Sequence, residues 1–193
     1  MLDAVLTRRN ASLKVKITVK SVVALCVVIG AVALPQLVHL ALGMPGGVKW
    51  LPMYLPVLVG GCLLGPFWGL GVGILSPLVS FAVTSAWGDP MPAVTRLPYM
   101  VAELAVFASV TGLFSKKISE NKWFAFPAVM LAQLAGRGVF LALTAVFQSV
   151  SALKFATVWA QVQQGGLGLF IQALVVPLVI IALHSLVYGN RNE

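Results

Sequence analysis

Charged residues are scarce in this sequence of 193 residues. Only 9% of the residues are charged and only five are Asp or Glu, whereas 60% are hydrophobic and the mean hydropathy is +0.98. Because a soluble domain has about 25% charged residues, this chain has too few polar groups to cover a water-facing surface. The composition argues against an ordinary soluble enzyme and favours an integral membrane protein.

Residues that carry chemistry are also few. Cys26 and Cys62 lie in apolar runs without a CxxC motif, and His39 and His184 lie near the ends of different runs. These positions argue against a disulfide framework or a zinc site. The sequence contains no HExxH, GxSxG or P-loop motif. We therefore expect no catalytic residue, metal or cofactor, and any ATP hydrolysis would require another subunit.

The excess of positive charge, +8 in net terms, lies in clusters between the apolar runs. No basic face with interleaved aromatic residues occurs, so nucleic acid is not an expected partner. Residues 1–17 form a basic N-terminal segment. The apolar run behind it is too long for a signal peptide and has no obvious cleavage site, so we interpret that run as the first membrane span.

Six apolar segments, separated by polar or Gly/Pro-rich connections, are predicted to cross the membrane. They cover about residues 18–42, 51–64, 67–87, 93–114, 123–150 and 165–188. The sequence thus predicts an all-α integral membrane protein in which residues 1–193 form a single domain of six transmembrane helices.

The distribution of Lys and Arg predicts the orientation of these spans. With six spans, one side of the membrane has nine basic residues and the other side has three. The first group is Arg8, Arg9, Lys14, Lys16, Lys20, Lys116, Lys117, Lys122 and Arg191, and the second is Lys49, Arg96 and Lys154. The positive-inside rule then places both termini in the cytoplasm.

Two ionisable residues of opposite sign lie inside consecutive spans, Glu103 in the fourth and Arg137 in the fifth. An unpaired charge near the bilayer centre costs at least about 2.5–3.5 kcal/mol. We therefore expect the two side chains to face each other or a shared polar cavity. Two interpretations remain open: the pair fixes the register of the helices, or it also borders a bound ligand.

Aromatic and polar residues near the outer surface suggest a binding pocket that opens outward. The Gly/Pro-rich connections 43–47 and 88–92 are expected to cover it. The candidate substrate-binding residues are Tyr54, Trp87, Asp89, Arg96, Tyr99, Glu103, Arg137, Thr144, Gln148 and Gln164.

Small residues recur at spacings typical of contacts between helices in lipid. Gly61, Gly65, Gly69 and Gly73 are four residues apart. We expect most of these small residues to pack helices within the chain and some to contact a partner.

The stretch 55–69, Leu-Pro-Val-Leu-Val-Gly-Gly-Cys-Leu-Leu-Gly-Pro-Phe-Trp-Gly, resembles the PxxxxGxxLGPxxG pattern of S components of energy-coupling factor (ECF) transporters. Further matches to that family follow in order along the chain. They are Pro77, Ser80, Pro92, Glu103-Leu104, Gly112, Gly136-Arg137, Gln172 and Pro177. The resemblance covers nearly the whole chain and agrees in size and in the number of spans.

This resemblance implies a capture subunit in the plasma membrane of a prokaryote. Such a subunit binds a vitamin or related micronutrient from outside and works with a transmembrane coupling protein and two cytoplasmic ATPases. The family contacts the coupling protein through an AxxxA motif on the first helix. Here Cys26-xxx-Gly30 and Val27-xxx-Ala31 are the nearest equivalents, so Cys26, Gly30 and Ala31 are the expected docking residues.

Two other classes of function stay open, namely a self-sufficient transporter or channel and a non-transport assembly protein. The absence of a clear internal repeat argues against the first of these. The substrate also stays open. A buried cation near an acid suits a carboxylate ligand such as pantothenate, and an aromatic, Gly-rich opening would admit one as large as cobalamin.

Overall fold

The computed structural model of the chain describes residues 1–8, 10–147 and 155–189. These residues form helices joined by short connections. In chain order they are α1 (Leu2–Arg8), α2 (Leu13–Trp50), α3 (Tyr54–Leu64), α4 (Pro66–Ala86), α5 (Leu97–Leu113), α6 (Ser115–Glu120), a 3-10 helix (Lys122–Phe124), α7 (Ala125–Phe147) and α8 (Phe155–Gly189).

Within these described ranges, four segments are long and apolar enough to cross a membrane: Leu13–Gly43, Pro66–Ala86, Lys122–Phe147 and Val158–Leu186. The described part of the chain thus has the build of an all-α, multi-pass membrane protein. Helices α3 and α5 are also apolar, but they have only 11 and 17 residues. Both are shorter than the roughly 20 residues that a straight span needs, and the count of six spans stays a prediction.

The two short apolar helices form the interior, and the four long ones surround them. Leu58 of α3 and Leu104 and Phe107 of α5 are completely buried. In the long helices, by contrast, Phe67 and Leu134 are 86% and 70% exposed. Apolar surface of this kind would associate in water, whereas lipid tails cover it at no such cost.

Glycines of α3 and α4 bring these two helices into close contact with α5. A Cβ atom added at Gly69 would lie 2.6 Å from the carbonyl oxygen of Ala108 in α5, and one at Gly73 would lie 2.7 Å from the carbonyl carbon of Leu104. Gly61 faces the same helix at Ala108. These contacts confirm the prediction that small residues pack helices within the chain. Gly65 instead adopts φ +89°, which favours glycine, at the turn between α3 and α4.

Several connections meet at one end of the bundle, which we call the basic end. There the Arg8 guanidinium lies 5.5 Å from the ring centre of Tyr188, at the end of α8, and His184 Nε2 lies 3.3 Å from the carbonyl oxygen of Ser119. The described basic residues at this end are Arg8, Lys14, Lys16, Lys20, Lys116, Lys117 and Lys122. Lys49 and Arg96 lie toward the opposite end. Among the described residues the predicted segregation of charge is therefore present, whereas Arg9, Lys154 and Arg191 lie outside them. The assignment of the basic end to the cytoplasmic side stays a prediction.

The helices extend into two segments that were predicted to lie between spans. The loop expected over 43–47 is mostly helical. The helical geometry of α2 is interrupted only at Gly43 (φ 71°, ψ −177°). Pro45 comes in the first turn of the helical segment that follows, a position at which proline is favourable. Helix α8 begins at Phe155 instead of 165. Residues 155–164 include several polar residues but no Gly or Pro that would end a helix. The helix can therefore include this segment.

Candidate functional site

A cavity of about 600 Å³ lies at the end of the bundle opposite the basic end. The turn between α2 and α3 and the connection between α4 and α5 border it, together with side chains from α2, α5, α7 and α8. Its volume lies in the range of about 300–1,000 Å³ that is typical of small-molecule sites. The fold thus forms an open cavity large enough for a drug-sized ligand.

Arg137 of α7 lines this cavity and forms an ion pair with Glu103 of α5. Arg137 Nη1 lies 3.1 Å from Glu103 Oε1; the Glu103 side chain is completely buried, and 13% of the Arg137 side chain is exposed. This contact confirms the expectation that the two charges face each other. Each charge compensates the other in a region where neither would be stable alone.

Tyr54, the first residue of α3, is the third member of this cluster. Its hydroxyl donates a hydrogen bond of 2.6 Å to Glu103 Oε2. The Arg137 guanidinium carbon lies 5.2 Å from the centre of the Tyr54 ring and 5.9 Å from that of Phe140. The guanidinium thus contacts two aromatic rings, an arrangement that favours a cation.

The polar atoms of the cluster are unequally paired. Glu103 Oε2 accepts the hydrogen bond from Tyr54, whereas Oε1 lies 3.1 Å from Arg137 Nη1. Within the described residues, Oε1 and the buried Nε and Nη2 of Arg137 have no hydrogen-bond partner. The cluster therefore leaves two donors of Arg137 and one acceptor of Glu103 unpaired.

Two hydroxyl groups of α4 fix the connection between α4 and α5 over the cavity. Ser80 Oγ donates to the carbonyl oxygen of Met91 at 2.8 Å, and the Met91 amide donates to Thr84 Oγ1 at 2.7 Å. Because the segment Asp89–Ala93 lines the cavity, these bonds set the position of one wall.

Gln172 of α8 fixes the turn between α2 and α3 in the same way. Its Nε2 donates to the carbonyl oxygens of Trp50 and Leu51, both at 2.9 Å. Leu51 has φ +49°, which is unfavourable for a residue with a side chain. The bonds from Gln172 stabilise this strained turn at the cavity wall.

The predicted substrate-binding residues fall into three groups. Tyr54, Asp89, Arg96 and Arg137 line the cavity, and Glu103 lies directly behind Arg137. The residues outside the cavity wall are Trp87 and Gln164, which are exposed, and Tyr99 and Thr144, which are buried. Gln148 lies outside the described residues.

The two buried residues have structural contacts beside the cavity. The ring of Tyr99 packs edge-on against that of Phe140, with 6.1 Å between the ring centres. Thr144 Oγ1 donates to the carbonyl oxygen of Phe140 at 2.8 Å. Both therefore support the residue whose ring lies beside Arg137.

Sequence reasoning missed part of the wall, including His39, Met53, Met100, Phe140 and Val158. Apart from His39, these residues are apolar and give no signal in a sequence in which 60% of the residues are hydrophobic. The loop anchors Ser80, Thr84 and Gln172 do leave a signal, because polar side chains inside membrane spans are expensive and tend to be functional.

The expected docking residues on α2 do not share one free face. Cys26 is exposed, but Ala31 is completely buried in the core. A Cβ atom added at Gly30 would lie 3.8 Å from Pro56 of α3. The small residues after Cys26 thus contact the chain itself, and a partner surface on α2 would have to use neighbouring positions.

Comparison with known proteins adds no relative to this geometry. No protein-family model, no curated protein and no solved structure matches the chain significantly.

Proposed function

We propose that this chain is the membrane-embedded substrate-capture subunit of an ECF-type importer. It would bind a vitamin or related micronutrient from outside the cell. It would release the ligand inward when a transmembrane coupling protein and two cytoplasmic ATPases act on it. Both termini would then lie in the cytoplasm of a prokaryote, and the chain itself would not be an enzyme.

The observation that supports this proposal most strongly is the cavity above the Glu103–Arg137 pair. It lies at the end with few basic residues, which the positive-inside rule would place outside the cell. Apolar walls with a small number of fixed polar groups are typical of small-molecule sites. A solute from outside would thus enter a preformed cavity that is lined at one side by the charged Arg137.

The volume of the cavity bears on the two substrates suggested by the sequence. At about 600 Å³, it suits a ligand of the size of pantothenate. Cobalamin is far larger than the drug-sized molecules that such cavities enclose. To bind it, the chain would have to open the wall that Ser80 and Thr84 hold in place.

A second candidate function is a membrane assembly protein, in which the ion pair only fixes the register of α5 and α7. The close contact of 3.1 Å and the support from Tyr54 favour this alternative. It does not account for the cavity or for the unpaired edge of Arg137. We therefore rank it second, and a self-sufficient transporter third.

The decisive experiment is mass spectrometry of small molecules released from the purified, gently solubilised protein. A capture subunit with high affinity should retain a vitamin-like compound through purification. The same protein, emptied by washing, should regain thermal stability when that compound is added. An empty preparation, with no thermal shift across a panel of vitamins, would favour the assembly protein.

Uptake measurements separate a capture subunit from a self-sufficient transporter. The chain would be produced in a host that lacks uptake of the identified compound, with and without the coupling protein and ATPases. Uptake should require active ATPases. Uptake that persists with ATPases inactivated in their nucleotide sites would contradict the proposal and favour a self-sufficient transporter.

A further inference from the structure

The unpaired N–H groups of the Arg137 guanidinium indicate which hydrogen-bond acceptor a ligand in the cavity should carry. Nη1 lies on one side of the group and contacts Glu103. Nε and Nη2, which form the opposite edge, have no hydrogen-bond partner within the described part of the chain. The N–H groups of this edge are parallel, and this geometry matches the two oxygens of a carboxylate.

The carboxylate of the pair does not line the cavity. One Glu103 oxygen accepts the hydrogen bond from Tyr54, and the other lies beside Arg137. With its side chain completely buried, Glu103 presents no acceptor to a cationic ligand. Glu103 Oε1 also has no hydrogen-bond partner among the described residues, but of the pair only the donor Arg137 lines the cavity.

The charges around the cavity limit the charge of the ligand. Among the described residues, Arg96 and Arg137 are balanced by Asp89 and by Glu103 behind the wall. One carboxylate would add a single negative charge to this neutral set. A dianion such as a phosphate monoester would add about two in a region of low dielectric constant, at a much higher desolvation cost.

The rest of the wall is mainly apolar and includes Leu51, Met53, Met100, Phe140, Val158 and Val162. Resting on the proposed capture function, we infer that the substrate is a small organic monoanion. Its carboxylate binds the Nε–Nη2 edge of Arg137, and its apolar body fills the cavity. Since this edge is shielded from water in the structure, binding also requires a side-chain rotation at Arg137 or in the rings beside it.

The test compares acids with neutral analogues of nearly the same shape. The probes are pantothenate and pantothenol, biotin and biotinamide, nicotinate and nicotinamide, and lipoate and lipoamide. Any acid that co-purifies is tested against its amide. Binding to the purified chain is measured by calorimetry and thermal shift. We expect an acid to bind and its neutral analogue to bind at least about 100-fold more weakly. The neutral analogue lacks the carboxylate, and losing one partner of a buried charge pair has an effect of this size.

Two matched variants test which arginine is responsible. Arg137→Lys keeps the positive charge beside Glu103 but lacks the parallel pair of N–H groups. It should weaken binding of the acid by about 100-fold or more. Arg96→Lys makes the same change at the rim of the same cavity and should cost less than about tenfold, as for a rim charge.

The outcomes separate the substrate class from the capture function. Equal binding of an acid and its neutral analogue, or full binding by folded Arg137→Lys protein, would overturn the substrate class and leave the capture function standing. If no compound binds or co-purifies, the capture function fails and the substrate class fails with it. If Arg137→Lys does not fold, the comparison of acid and neutral analogue on the unchanged protein decides.

Discussion

Two ion pairs in this chain differ mainly in the surroundings of the anion. Lys20 and Arg137 are equally exposed, each with 13% of its side-chain area. Their partners are not, because Asp3 is 59% exposed and Glu103 is completely buried. The Lys20–Asp3 contact is the shorter one, at 2.7 Å against 3.1 Å. We therefore expect the longer contact to be the costlier one to lose, since solvation of the partner left behind decides that cost.

The largest effect is expected from Arg137→Met. It removes the positive charge and leaves the Glu103 carboxylate buried, with only the Tyr54 hydroxyl as a partner. Breaking a buried pair in this way should lower the free energy of unfolding by about 3–5 kcal/mol. Unfolding of the detergent-solubilised protein by heat or by SDS measures the loss.

The same variant discriminates between the two roles of the pair. If Arg137→Met protein keeps its stability but no longer binds ligand, the pair does not serve only to fix helix register. If stability falls and the unchanged protein also binds no ligand, fixing the helix register is enough to explain the pair.

A smaller loss is expected from Tyr54→Phe, which keeps the ring beside Arg137 and removes only the hydroxyl. A hydrogen bond to a charged group contributes about 1.5–3 kcal/mol, and the free energy of unfolding should fall by that amount. The double variant Tyr54→Phe/Glu103→Gln should lose less than the sum of the single losses. Additive losses would show that the hydroxyl does not act through Glu103.

The contact between Glu103 and Arg137 could be predicted from the sequence because both charges lie inside apolar runs. An isolated charge there is so costly that a partner of opposite sign in the next span is the simplest solution. Tyr54 could be placed near the outer surface but not at the pair. Its contact depends on the length of α3, which begins at Tyr54 and not at Leu51, and no local pattern sets that boundary.

The residues that form the walls of the cavity were predicted less well than the ion pair of Glu103 and Arg137. The connection 88–92 was expected to cover the site, and Asp89–Pro92 does line it. The bonds from Gln172 to Trp50 and Leu51 join residues more than 120 positions apart. Such contacts follow from the packing of α8 against α2. The sequence of either helix does not specify this packing, because apolar residues lie on all faces of both helices.

Next in size is the effect of Gly136→Ala, beside Arg137. The added methyl group would meet the ring of Phe107 and lie 3.1 Å from the carbonyl oxygen of Glu103. Phe107 is completely buried and packs edge-on against Tyr54, with 5.1 Å between the ring centres. The ring therefore cannot move without disturbing the cluster, and overpacking should cost about 1–3 kcal/mol.

Gly138→Ala is the matched control on the other side of Arg137. A Cβ atom added at Gly138 has no atom within 4 Å, and alanine is the better helix former by up to about 1 kcal/mol. This variant should be as stable as the unchanged protein or slightly more stable in the same unfolding assay. Equal destabilisation by both variants would mean that α7 does not tolerate any added volume, and the effect would not be specific to the ion-pair cluster.

The smallest effect is expected from Lys20→Met, the counterpart of Arg137→Met in the exposed pair. Removing Lys20 leaves Asp3 hydrated, so the loss should be about 0–1 kcal/mol, and it should shrink as salt is raised, because exposed charges are screened. Lys16→Met, which removes a lysine bonded to the Thr7 hydroxyl at 3.1 Å, controls for the loss of one positive charge on α2. A loss for Lys20→Met as large as that for Arg137→Met would show that burial of the anion does not distinguish the two pairs. A small loss that vanishes in salt would support the view that burial of the Glu103 carboxylate causes the larger loss of stability in Arg137→Met.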